Sequence, residues 1–161
     1  MEAKLNYQMN KFDMNSAIKG QRVLPANTES FSGVVDESQT DPLLAGDPVL
    51  IVSTTTGLPH FAKAGVGDVV IGFVEWTVIK NGVYPAGALC QVSPAGNVMY
   101  MEAEGAIDAG VALNMSDLTD VTVDEAGAGK SVIGWALESA TAAGQLIRVK
   151  IAEPVELTAN S

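Results

Sequence analysis

The sequence predicts an all-β fold: a jelly-roll-like sandwich or barrel with an internal pseudo-repeat, plus an extended N-terminal arm. Three observations carry that prediction. Residues 65–74 (Gly65, Gly67, Ile71, Gly72, Phe73) and 127–136 (Gly127, Gly129, Ile133, Gly134, Trp135) repeat one phrase, with Gly72 and Gly134 62 residues apart (134 − 72). The neighbours repeat too, since Ala-Gly pairs at 45–46, 86–87, 109–110 and 143–144 each open an apolar run. Short β-branched runs then recur at intervals of roughly 8–12 residues with turn residues between them, the pattern of a sandwich or barrel. The shared residues are Gly, Ala, Val and Ile, none of which does acid–base or nucleophilic chemistry. A shape is duplicated, not a reaction centre.

Residues 1–40 read as an extended arm. They are rich in Asn, Gln, Ser and Lys, with single apolar residues and no lasting periodicity. Tyr7, Phe12 and the Val23-Leu24 pair are large apolar groups that a purely disordered tail seldom carries. They are therefore expected to be buried against another subunit, as candidate capsid or oligomer contacts.

The domain proper is expected over residues 41–153, followed by a tail over 154–161. Its strands begin with 49–53, opened by Pro48, whose missing N–H suits a strand's first position. A turn over 54–59 leads to a strand over 60–63. The run 69–79 ends at Asn81-Gly82, the strongest two-residue hairpin signal in the chain, with Val83-Tyr84 as the return. Strands over 89–92, 98–102, 111–115, 121–123, 132–137 and 146–151 complete the series, and residues 115–120 read as a turn. In mid-strand, Gly72 and Gly134 predict a bulge or a close crossing of strands, with Phe73 and Trp135 filling the space each glycine opens.

Composition restricts the partners. Among 161 residues, 19 are acidic and 9 basic, for a formal charge of −10 and a pI near 4.3. Binding a phosphate backbone requires clustered Lys and Arg to release counterions, and no such run exists. Nucleic acid and anionic membrane surfaces are excluded as ligands on that ground. The longest apolar stretch, 66–79, is broken by Asp68 and Glu75 and falls short of the roughly 20 residues of a span. Cys90 is the sole cysteine, so no intrachain disulfide is possible, and its apolar surroundings suit a buried thiol. With no charged-then-apolar leader at residue 1, synthesis in a reducing host cytoplasm is expected.

The residues that could carry chemistry do not form a constellation. Gly127-Ala128-Gly129-Lys130-Ser131 ends like a phosphate-binding loop, but Asp124 stands where that motif needs its first glycine, and a strand rather than a helix follows. His60 is the only histidine and has no ligand-spaced companions. The pairs Glu102/Glu104 and Asp117/Asp120 are expected by chance in so acidic a chain. No enzyme activity, cofactor or metal is expected. Trp76 is out of phase with Phe73; it either faces a partner or is buried on the other face of a sandwich.

The polar arm, the strand opened by Ala45-Gly46-Asp47-Pro48-Val49, the phrase Val70-Ile71-Gly72-Phe73-Val74 and the close Gly134-Trp135-Ala136-Leu137-Glu138 followed by Gly144-Gln145-Leu146-Ile147-Arg148-Val149 together resemble the structural cement (capsid decoration) proteins of tailed bacteriophages. The closing phrase is the most specific part, and the resemblance covers about residues 41–152. It implies a compact β domain, often jelly-roll-like, bound outside an icosahedral shell. It further implies a homotrimer or homodimer that clamps neighbouring major capsid subunits, with the virion exterior as its location. A tail or fibre adhesin is the alternative virion part.

Overall fold

In the computed structural model, residues 17–23, 30–54 and 57–158 are described. All regular structure among them is β. In chain order the strands are β1 (Phe31–Val35), β2 (Leu43–Leu44), β3 (Pro48–Ser53), β4 (His60–Lys63), β5 (Val69–Val70), β6 (Gly72–Val74) and β7 (Val83–Tyr84). After these come β8 (Leu89–Ser93), β9 (Val98–Ala103), β10 (Ala112–Asp117), β11 (Thr122–Glu125), β12 (Gly134–Ala136), β13 (Leu146–Ile151) and β14 (Val155–Glu156).

The expected alternatives were a jelly-roll-like sandwich and a barrel, and the chain forms a barrel twice. One closes in the order β1-β4-β3-β6-β8, the other in the order β9-β11-β10-β12-β13. The two circuits match strand for strand. Each has one parallel pair, β1 with β4 and β9 with β11, and antiparallel pairs elsewhere. Each carries a register shift at the same place, between Ile51 and Ser53 and between Met115 and Asp117. Closure removes the open sheet edges that a sandwich would leave.

Gly72 and Gly134 explain why the repeat is written in glycine. A Cβ on Gly72 would lie 2.5 Å from the Ser93 carbonyl oxygen, and one on Gly134 would lie 2.5 Å from Val149 Cγ1. Each glycine lets two neighbouring strands of its barrel approach closely. The following aromatics diverge: Phe73 is buried, whereas Trp135 is 47% exposed and fills no such space.

Two apolar clusters hold the molecule. Val35, Leu43, Val49, Phe61, Val74, Tyr84, Cys90 and Val92 fill the first barrel. The second barrel's cluster runs on into Ala64, Val70 and Phe73 of the first. The barrels are therefore joined through a shared core.

Three sequence expectations are corrected here. Residues 31–35, assigned to the arm, form β1 inside the first barrel, because Gly33 leaves room for the Phe61 ring and the Pro59 carbonyl to approach. The tail is not free as far as residue 158: β14 pairs with β5, and Leu157 is buried in the shared core. The Asn81-Gly82 turn forms, with φ of +50° and +74° and the Val83 N–H donating to the Lys80 carbonyl. Its return strand β7, however, pairs with β2 rather than with the run before the turn. That run stops at Val74, where Glu75 and Trp76 turn to other partners.

Candidate functional site

The strongest candidate is not a pocket but a set of surfaces fixed by the barrel junction. The N-terminal segment 17–23 crosses that junction as a strap. Its Gly20 and Val23 N–H groups donate to the Tyr100 and Val98 carbonyls of β9, and the Tyr100 N–H donates to Gln21. On the other side, the Trp76 N–H donates to the Gly20 carbonyl. One short segment thus bonds to both barrels.

Beneath the strap lies a buried polar chain. Arg22 reaches the buried Glu75 carboxylate at 3.5 Å, Ser93 Oγ donates to Glu75 Oε1 at 2.6 Å, and Asn97 Nδ2 donates to Ser93 Oγ at 3.3 Å. Tyr84 Oη adds a 2.6 Å bond to the Glu75 carbonyl. A buried carboxylate is tolerated only when paired and hydrogen-bonded, and here both conditions are met by groups from the strap and both barrels. The second buried carboxylate, Asp47, accepts the Leu44 N–H at 2.7 Å and faces the Lys63 ammonium at 2.9 Å as an ion pair.

Of the expected contact residues, Tyr7, Phe12 and Leu24 lie outside the described residues. Val23 is bonded to its own β9. Trp76 is half-buried, with its ring beneath the Asn81-Gly82 turn: a Cβ on Gly82 would meet Trp76 Cδ1 at 2.8 Å. The structure therefore places Val23 and Trp76 together at the strap, but in contacts within the chain.

The ionisable residues are dispersed into structural roles. His60 Nδ1 lies 3.2 Å from Asp36 Oδ2, tying β4 to the end of β1. The Ser38 hydroxyl and backbone N–H, with His60 a lesser contributor, hold the Asp36 carboxyl below its usual range. Asp117 accepts the Thr119 and Asp120 N–H groups, which lower it likewise. Glu102 pairs with Lys19 of the strap at 3.4 Å. Burial pushes the Cys90 thiol up to about 11. Among the described residues, no three His, Cys, Asp or Glu side chains gather as metal ligands would. Lys130 and Ser131 close a turn, the Ser131 N–H bonding Thr158 Oγ1, and β12 follows rather than a helix.

A cleft of about 300 Å³ opens beside the β10 bulge, lined by Val66, Met115, Ser116, Asp117, Leu118, Leu157 and Thr158. Asp117 is its one ionisable group, and that carboxylate is already committed to a turn. No helix among the described residues is long and apolar enough to cross a membrane.

What sequence reasoning missed is exposed apolar surface. Ile79, at the tip of the Asn81-Gly82 loop, is 92% exposed, and the facing pair Leu44 and Val83 is exposed beside it. Trp135 and Leu137 stand exposed on the second barrel. The available signal was phase: Trp135 alternates with Gly134 and Ala136, both inward-facing, so its ring had to point out.

The chain matches no protein-family model. No curated protein matches it either. Among solved structures it is similar to the head fibre gp8.5 N base of bacteriophage phi29, with a TM-score of 0.51 and 19% identity over 83% of this chain and 99% of that one. At that identity the likeness is one of fold.

Proposed function

We propose that this chain is a structural protein of a tailed-phage virion: a cement, or decoration, protein that binds the outer surface of an icosahedral capsid and stabilises contacts between major capsid subunits. The observation that carries the reading is the fold likeness to a phage head fibre base across nearly the whole of that chain. The physical character of the molecule fits the role. A cement protein needs a rigid body and adhesive faces, and this chain has two barrels with a shared core, ionisable groups committed to structure, and exposed apolar side chains. It works without a cofactor and without catalysis, as a homotrimer or homodimer. It is made in the host cytoplasm and resides on the capsid exterior. Each stable contact with the shell buries on the order of 1,000 Å² or more.

The identity of that neighbour favours a second reading, the base of a fibre or other appendage that binds the head without reinforcing it. The two separate in one experiment. Purified expanded shells are mixed with the protein, co-sedimented, and their thermal disruption is compared with that of bare shells. A cement protein raises the disruption temperature of the shells it coats. An appendage base binds and leaves it unchanged. Failure to co-sediment overturns both.

A further inference from the structure

The duplication supplies a template for an interface that a single chain leaves open. Phe73 and Trp135 occupy one register position: Phe73 stands between Pro48 and Ser93, and Trp135 between Ala112 and Lys150. In the first barrel, Val74 joins that barrel's own core while Phe73 joins the core of the second. The outward face of β6 is thus covered by a neighbouring barrel, and Phe73 is 1% exposed. The outward face of β12 has no third barrel to cover it. Trp135 there is 47% exposed, and Leu137, whose N–H extends the pairing to the Arg148 carbonyl, is 46% exposed.

Charge sets this face apart from the rest of the molecule. Lys150 lies directly across from Trp135, is exposed, and makes no ion pair among the described residues. Arg148 is adjacent, held by Glu138 at 3.1 Å. In a chain with 9 cations against 19 carboxylates, two cations beside an exposed indole form an uncommon patch.

We propose that the Trp135–Leu137–Lys150 face docks a second copy of this chain, which covers Trp135 as the second barrel covers Phe73. Charge complementarity selects the occupant: a second copy is strongly acidic and meets the Lys150 ammonium with carboxylates. It also selects the geometry. Two such faces packed head-on would oppose Lys150 to Lys150, so the contact is heterologous, with the face of one copy set on a different, acidic surface of the next. A buried Trp ringed by polar groups is the usual anchor of such a contact. The inference specifies the surface behind the self-association proposed above, and its test needs no capsid.

The full chain is followed by sedimentation velocity over a wide range of concentration and salt. Wild-type protein associates, more tightly at low salt. Trp135→Ala weakens association on the order of thirtyfold, and Lys150→Glu weakens it and removes the salt sensitivity. In a Trp76→Phe background, the emission of Trp135 shifts to the blue as the protein associates, which reads the same contact with the face intact. A wild-type chain that stays monomeric throughout overturns the proposal. So does association that both face variants leave unchanged, or a Trp135 emission that does not move. Shell binding by the monomeric Trp135→Ala variant would sink nothing here, and loss of shell binding alone would bear only on the capsid reading.

Discussion

A methyl group on Gly72 would stand 2.5 Å from the Ser93 carbonyl oxygen and 2.7 Å from Val92 Cγ1; on Gly134 it would stand 2.5 Å from Val149 Cγ1 and 2.8 Å from the Lys150 carbonyl oxygen. Backbone cannot step aside inside a closed barrel, so Gly72→Ala and Gly134→Ala should each destabilise by about 1–3 kcal/mol through overpacking. Gly105→Ala, where a Cβ meets open space, is the control and should leave the melting temperature almost unmoved. The repeat was legible because this constraint admits one residue type at two equivalent places. Trp135 was not, since a large aromatic beside such a glycine reads as filling even when its neighbour barrel is missing. Cys90 gives a second prediction at this scale. Burial holds its thiol protonated to about 11, so the unfolded chain releases the proton first. Stability should fall as pH rises from the ordinary thiol range toward 11, and burial raises Tyr84 in the same sense. Alkylation of the native protein at mildly alkaline pH should be negligible and become complete in denaturant. Rapid native labelling would contradict the buried thiol. At the acid end the lowered carboxyls of Asp36 and Asp117 act oppositely, contributing stability above the ordinary carboxylate range that is lost as pH falls through their folded values.

Among the elements, the strap is the one whose sequence gave least away. Residues 17–23 lack strand periodicity because their partners lie in both barrels, and a segment bonded on two sides by different neighbours has no single buried face to alternate about. β1 was hidden for a related reason. Its Gly33 looks like loop punctuation, yet it admits the Phe61 ring, and nothing in Phe31–Val35 echoes its counterpart Val98–Ala103. The strands that did show were those with β-branched runs bounded by Gly or Pro, such as β3, β8 and β13. The strap's energetic weight rests on Arg22. Arg22→Ala leaves the buried Glu75 carboxylate with Ser93 as its side-chain partner, and should destabilise by roughly 1–3 kcal/mol, less than a fully buried pair because Arg22 is partly exposed. Glu75→Gln removes the charge and keeps a side-chain oxygen for Ser93, so it should lose less. Chemical denaturation of both variants and of the double variant tests the order. A double variant as unstable as the two single losses combined would show that the two side chains are not coupled.

For the molecule as a whole, rigidity is the property that an adhesive lattice protein requires, and it depends on whether two barrels behave as one body. Ala64, Val70 and Phe73 of the first barrel lie in the second barrel's core, β14 returns to β5, and the strap bonds to both. A molecule so joined should unfold in one step, with calorimetric and van't Hoff enthalpies equal. The chain carries a natural probe on each side. Of its two tryptophans, Trp76 reports the first barrel and the strap, and Trp135 reports the second barrel. Fluorescence of the variants Trp76→Phe and Trp135→Phe, each leaving one probe, should give midpoints that differ only by the effect of the substitution itself. Leu157→Ala sharpens the test, because Leu157 is 2% exposed in the shared core and its backbone bonds the first barrel at Gly67 and Asp68. Removing that side chain should cost about 2–4 kcal/mol and lower the midpoint seen by both probes together. If instead one probe moved and the other stayed, the barrels would be independent beads. The junction could not then transmit load from one capsid contact to the next, and a clamp built from this fold would lose its physical basis.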